Sequence, residues 1–361
     1  MFLHVKKFHM VGIGGSGMNG IAQILHGLGF SVTGSDEKSG AAVAHLKKIG
    51  IPVSVGHAAD DVGSADVLVR STAVPDSNPE IAESRRRNIP VVSRGELLAE
   101  LTRMGETIAV AGTHGKTTTT SMIACITTVA GLDPTVIIGG RVKNLEQGVG
   151  ARLSKSANEK SIFVIESDES DGSFLKLHPA LAVVTNIDTD HLDHYGTMDN
   201  LRNAFRDFLN LVPFYGVSVV FWDDANLRRI FPLLRRKSIT YGFSDTAELR
   251  AESLELSAAS SRFTVTFKKE SYGQFMLSIP GRHHVLNALA SIAVARELDA
   301  SLSAIRDALA EFKGVGRRFE SHGPAGGVFI YDDYGHHPTE IRATLETARV
   351  AHPNSRIFVL F

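Results

Sequence analysis

Two stretches of this 361-residue chain share one local grammar: a short apolar run, a cluster of glycines, then a helix-period pattern. The first is VGIGGSGMNG, Val11 to Gly20, and the second is VAGTHGKTTTT, Val110 to Thr120. A strand that passes through glycines into a helix aims the first N–H groups of that helix at one point, where donors and dipole together hold an anion. Such units belong to parallel sheets covered by helices. A chain with two of them is expected to fold as successive α/β units, each with a phosphate cradle at its sheet edge.

The flanking pattern agrees. Apolar runs FHMVGIG, FSVTGSD and ADVLVRSTAV alternate with helical patterns at Met18–Gly29, Ala41–Ile49 and Pro79–Asn88, which predicts a parallel sheet in the first hundred residues. SRGELLAELTRMGE reads as a closing helix and exit, after which TIAVAG opens a second series with strands at Thr107–Ala111, Ser161–Ile165 and Leu181–Thr185. From Glu248 to Ile279 the period falls to two, as in RFTVTFKK, predicting antiparallel strands appended to that sheet. A helix follows at His284–Leu298, then a glycine-rich basic linker, EFKGVGRRFE, then a strand and helix in GVFIYDDYGHHPTEIRATLETA. RIFVLF, Arg356 to Phe361, reads as part of a further strand.

Charge narrows the partners. With 38 Lys plus Arg against 39 Asp plus Glu, no basic face is evident for nucleic acid or acidic lipid, and small-molecule chemistry is favoured. The N-terminus lacks an apolar export segment and no 18 apolar residues run together, so neither export nor membrane insertion is expected. The one cysteine, Cys125, lies in the apolar run SMIACITTVAGL and reads as a packed thiol of a cytoplasmic protein.

In the first loop Gly12, Gly14 and Gly17 follow a strand, and Asp36 comes 19 positions after Gly17 at the end of the next. That is the dinucleotide-binding fingerprint: glycines let backbone approach a pyrophosphate, and the acid can accept from a ribose hydroxyl. The motif does not separate a nicotinamide dinucleotide, and hence an NAD-dependent oxidoreductase, from another diphosphate nucleoside. The second loop departs from the strict Walker spacing, with Val110 where glycine is wanted. It keeps Gly115-Lys116-Thr117, an ammonium for phosphate charge and a hydroxyl for Mg²⁺. FVIESDESDGSF and VVTNIDTDHLDHY place acids and histidines, Glu166 and His191 among them, at the ends of neighbouring strands, where they can complete a magnesium shell. The pairs His283-His284 and His336-His337 have no metal-ligand spacing to a further Cys or His, so zinc is not expected.

HMVGIGGSGM, AGTHGKTTTT, ESDESD, NIDTDHLDHY, GRHHVLNALA, GVGRRFE and DDYGHHPTE occur in this order along essentially the whole chain. Together they resemble the Mur ligases, ATP-dependent amide-forming enzymes of peptidoglycan synthesis, and DDYGHHPTE resembles the alanine-adding branch. The resemblance implies an α/β chain of three domains. Residues 1–104 would form a Rossmann-like UDP-sugar-binding domain, 105–312 a central P-loop parallel-sheet ATPase domain with antiparallel strands, and 313–361 an incomplete Rossmann-like C-terminal domain. The family's C-terminal domain continues well past Phe361.

The implied reaction joins L-alanine to the lactyl carboxylate of UDP-N-acetylmuramate through an acyl phosphate, in the bacterial cytoplasm, with ATP and Mg²⁺. A tripeptide-adding recycling ligase of the same family is the alternative. Gly14, Gly15, Ser16, Gly17, Met18, Asp36, Ser71, Thr72 and Ala73 would hold the UDP part. Gly112, Thr113, Gly115, Lys116, Thr117, Thr118, Asn287, Arg318 and Asp333 would hold ATP, with Thr117, Glu166 and His191 as metal ligands. Lys116, His191, Arg318 and His336 would carry the catalysis. His284 stands where the family has asparagine in GRHN. No pattern here bears on oligomeric state.

Overall fold

The computed structural model describes residues 2, 4–140, 143, 144, 150–155 and 161–361. Its first sheet holds β1 (Lys7–Val11), β2 (Ser31–Asp36), β3 (Val53–Val55), β4 (Val67–Arg70) and β5 (Val91–Ser93), in the order β3-β2-β1-β4-β5 and parallel throughout. The three-residue strands β3 and β5 carry too little periodicity to be read from sequence. The helix Ser16–Gly27 sends Met18, Ile21, Ala22, Ile24 and Leu25 into the core, the i, i+3, i+4 stripe of a helix on a sheet.

The second sheet has ten strands: β6 (Glu106–Ala111), β7 (Thr135–Ile137), β8 (Ala151–Arg152), β9 (Ile162–Glu166), β10 (Leu181–Val184), β11 (Val217–Phe221), β12 (Lys237–Gly242), β13 (Leu249–Leu256), β14 (Ser261–Phe267) and β15 (Glu270–Leu277). The order is β15-β14-β13-β12-β11-β10-β6-β9-β7-β8. The expected antiparallel addition is present, since β13 pairs β14 and β14 pairs β15 antiparallel at one edge. What matters for function is the middle. β6 lies between β10 and β9, all parallel, with Val110 opposite Glu166 and Ala111 opposite Val184. The loops leaving these three strands therefore emerge side by side.

One apolar cluster runs from Ile21 and Leu25 in the first unit to Ala109, Ile137 and Phe163 in the second, so the two sheets share a core. Close approach demands small residues: a methyl on Gly20 would lie 3.3 Å from the Ala151 methyl. No helix among the described residues is long and apolar enough to cross a membrane.

The C-terminal segment differs from expectation. β16 (Glu320–Ala325) begins at the end of the predicted linker and pairs antiparallel with β17 (Val328–Asp332), followed by the helix Pro338–Ala351. RIFVLF forms no strand, and Phe358, Leu360 and Phe361 are exposed. Apolarity alone does not make a strand: backbone groups need a neighbouring ladder, and residues 356–361 have none among the described residues.

Candidate active site

The first cradle is held from below. Gly12 N and Ile13 N donate to Ser35 O at 2.9 and 3.0 Å, and Gly14 N donates to Asp36 Oδ2 at 2.8 Å. Gly12 adopts a φ of +76°, open to glycine at low cost. Asp36 spends its carboxylate on the loop and on Lys38 N, and does not line the adjoining cavity. That cavity, about 540 Å³, is walled by Gly15, Ser16, Gly17, Met18, Ser71 and Thr72, while Gly14 and the exposed Ala73 lie off its wall.

The same cavity is walled on its other side by Thr113, Lys116, Thr117, Glu166 and His191. The two cradles therefore open into one space, a juxtaposition no local motif encodes. The β10 loop shapes the second cradle: Thr113 N and His114 N donate to Asn186 O and Oδ1 at 3.1 and 2.8 Å, and Asp188 N donates to Thr113 Oγ1 at 2.9 Å. Gly112 has a φ of +130° with its Cα against Thr185, where a methyl would collide with the hydroxyl. Lys116 Nζ donates to Gly112 O at 2.6 Å, Thr113 O at 3.2 Å and Glu169 Oε1 at 2.6 Å. Glu169 is 1% exposed and its Oε2 has no hydrogen-bond partner among the described residues; burial pushes its carboxyl up even against the charge of Lys116.

Thr117 Oγ1 donates to Glu166 Oε1 at 2.9 Å, and Gly139 N to Glu166 Oε2 at 2.8 Å. A hydroxyl and a carboxylate side by side are the hard oxygen donors magnesium takes, so this pair fits the ion. His191 shares the wall with a left-handed φ of +55°, and its Nε2 is 3.8 Å from Glu169 Oε1.

A second cavity, about 510 Å³, borders the loop 112–118, lined by Gly115, Thr118, Asp223, Asp224, His284, Asn287 and Asp333 among others. Thr117, Arg318 and Glu340 line both cavities and so form their junction. Asn287 is packed so closely on Gly115 that a methyl there would come 2.7 Å from its Oδ1. His284 donates from Nδ1 to Pro280 O at 2.6 Å, and burial pushes its ring down to about 4, so it is neutral. Asp333 accepts from Phe319 N and Gly335 N, both at 2.7 Å, which shapes the loop bearing the exposed His336.

His114 and Glu340 went unassigned in the sequence, although both lie in motifs quoted above. The His114 ring stands between Asp188 Oδ2 at 3.1 Å and Glu340 Oε1 at 3.3 Å. Burial opposes its protonation, but hydrogen bonds and charge from both carboxylates outweigh that and raise its pKa. Burial likewise disfavours the Glu340 carboxylate, yet His114 and Arg318 hold it down at about 2. His337 joins His114 and Asp188 within metal-binding distance of one another. Its Nδ1 accepts from Thr339 N as a helix cap, however, and its Nε2 faces Thr189 O.

Family models match nearly the whole length: the Mur ligase family catalytic domain over residues 7–105, the Mur ligase middle domain over 110–295, and the Mur ligase glutamate ligase domain over 317–361. The chain belongs to the Mur ligase family. Two Mur relatives named UDP-N-acetylmuramate–L-alanine ligase are similar at half of all positions. That of Solidesulfovibrio magneticus is 52% identical over 99% of this chain and 77% of its own length, and that of Solibacter usitatus 51% over 100% and 75%. The structure of the UDP-N-acetylmuramate-alanine ligase of Thermotoga maritima superposes with a TM-score of 0.85 at 34% identity, covering 96% of this chain and 78% of that one. The Neisseria UDP-N-acetylmuramate:L-alanyl-gamma-D-glutamyl-meso-diaminopimelate ligase gives 0.79 at 30%, covering 87% and 100%.

Proposed function

We propose that this Mur ligase joins L-alanine to the lactyl carboxylate of UDP-N-acetylmuramate, converting ATP to ADP and phosphate. The observation that carries this reading is the single 540 Å³ cavity with Gly15–Ser16–Gly17 on one wall and Lys116–Thr117 on the other. A nucleotide diphosphate held at the first cradle extends its sugar toward the γ-phosphate of ATP held at the second. Phosphoryl transfer between two anions needs alignment and neutralised charge more than covalent help. The relatives' names support alanine as the amine. We take the compartment to be the bacterial cytoplasm, where ATP and nucleotide sugars are held.

In this reading residues 1–104 hold the UDP-sugar, 105–312 hold ATP, and 313–361 close over both. Lys116 turns its ammonium from Glu169 to the phosphates. Thr117, Glu166 and His191 hold magnesium, which when bound neutralises phosphate charge. Arg318, at the junction of the two cavities, lies against the phosphates. Asn287 takes the adenine end, and His336 faces the reaction centre. The lactyl oxygen attacks the γ-phosphorus, ADP leaves, and the alanine amine then displaces phosphate from the acyl carbon.

Phosphate release is measured with UDP-N-acetylmuramate, ATP and Mg²⁺, with L-alanine or the tripeptide L-alanyl-γ-D-glutamyl-meso-diaminopimelate as amine. With the full-length chain, alanine-dependent release is expected. Tripeptide-dependent release instead would move the chain to the recycling branch, and tight NADH binding without sugar-nucleotide binding would end the ligase reading.

A further inference from the structure

Arg94 begins the helix Arg94–Leu101, whose start is set by a capping box: Glu96 N donates to Ser93 Oγ at 3.2 Å and Ser93 N to Glu96 Oε2 at 2.8 Å. A cation in the first turn opposes the helix dipole, so this arginine is not placed for the helix's benefit. Its side chain leaves the helix and lies on the first cradle. A methyl on Gly17 would come 3.1 Å from both Cδ and Nη1 of Arg94. The third glycine of the fingerprint is thus the residue that admits the guanidinium.

That guanidinium lines the shared cavity beside Gly15, Ser16, Ser71 and Thr72, with its side chain only 15% exposed. Nη2 donates to Asp168 Oδ2 at 2.8 Å. Asp168 is itself fixed by Ser170, whose N and Oγ donate to its Oδ1 at 3.0 and 2.6 Å. Nε and Nη1 have no hydrogen-bond partner among the described residues. A largely buried fork with one prong tethered and the others unspent, facing helix N-terminal N–H groups, has the donor geometry of a site for phosphate oxygens.

Resting on the ligase reading for the identity of the nucleotide, we propose that Arg94 binds the diphosphate of the UDP-sugar, with Asp168 as the tether that aims it. Because Asp168 lies between Glu166 and Glu169, the same arginine ties the sugar-nucleotide cradle to the acidic loop of the ATP cradle.

The test is calorimetric titration of the full chain with uridine, UMP and UDP, in wild type, Arg94→Gln and Arg94→Lys, with ATP titrated as the control for folding. Losing a charge-assisted donor should weaken UDP about 10- to 100-fold in Arg94→Gln. Uridine and ATP should stay within about twofold, UMP should fall between, and Arg94→Lys should recover part of the loss through charge alone. Gly17→Ala, which displaces the guanidinium while keeping it, should also weaken UDP more than uridine. Unchanged UDP affinity in Arg94→Gln, or equal losses for uridine and UDP, overturns the assignment. A wild type that binds UDP through Arg94 but shows no turnover breaks the ligase reading and leaves this assignment standing.

Discussion

Replacing Lys116 with alanine tests two functions of one ammonium. In the structure it is the nearest cationic partner of Glu169, at 2.6 Å against 3.8 Å for His191, and Glu169 is 1% exposed with its second oxygen unpartnered among the described residues. Removing one member of a buried pair costs about 3–5 kcal/mol, because the other charge stays buried. Lys116 retains 19% exposure, which favours the lower end, about 3 kcal/mol. For a unit of about 200 residues that is a fall in Tm of about 6–12 °C. The loss has a pH signature. Burial raises the Glu169 carboxyl above its ordinary 4.5, and removing Lys116 takes away the main influence lowering it. A carboxylate whose folded pKa is raised costs nothing below its unfolded value and destabilises increasingly as pH climbs toward the folded value. Lys116→Ala should therefore approach wild-type stability below the ordinary carboxyl value of 4.5 and lose it increasingly as pH rises above that value. Glu169→Gln added to it should restore stability without restoring ADP formation, which falls about 10²–10³-fold for want of phosphoryl charge stabilisation. Sugar-nucleotide affinity should hold within a few-fold. The assays are thermal unfolding across pH and phosphate release. A pH-independent loss, or a double variant no more stable than the single one, would refute the argument.

Glu166→Ala removes a carboxylate from beside Thr117 and should raise the magnesium needed for half-maximal phosphate release; an unchanged magnesium titration would return Glu166 to a loop-shaping role. His114 has a raised folded pKa, so the stability it contributes is complete below its ordinary 6.5 and is lost as pH rises through the raised value. Wild-type Tm should accordingly decline above neutrality, and His114→Asn should flatten that part of the profile; parallel profiles would count against the His114–Glu340 contact. The buried Cys125 thiol, pushed up to about 12 by burial, should resist a thiol-reactive dye in the native state and react once the chain is unfolded in urea.

Much of this was legible along the chain. The two glycine loops, Lys116 and Thr117, and the acids after β9 and β10 stand within a few residues of the strands that carry them. The four helices given limits from sequence, at Met18–Gly29, Ala41–Ile49, Pro79–Asn88 and His284–Leu298, start and end within about two residues of those limits, the usual uncertainty of helix ends. The helices Met198–Leu209 and Leu302–Ala310 and strands β11 and β12, by contrast, were not read. β3 and β5 were missed because three residues hold no period, and RIFVLF was read as a strand because apolarity was counted without a ladder partner.

Sequence by itself determined the local chemistry, since a loop's glycines, a lysine's charge and a threonine's hydroxyl are set by covalent structure and by short-range backbone sterics. Only tertiary structure decided how these parts meet. Strand order put β9 and β10 on either side of β6, and so brought Glu166 to Thr117 and Asn186 to His114. Packing of the two sheets into one core turned two cradles toward a single cavity. Glu169 under Lys116, Glu340 against His114 and Arg94 across Gly17 join residues 53, 226 and 77 positions apart. No local period records such distances, because they depend on which strands pair and which faces must be buried, and those are properties of the whole fold.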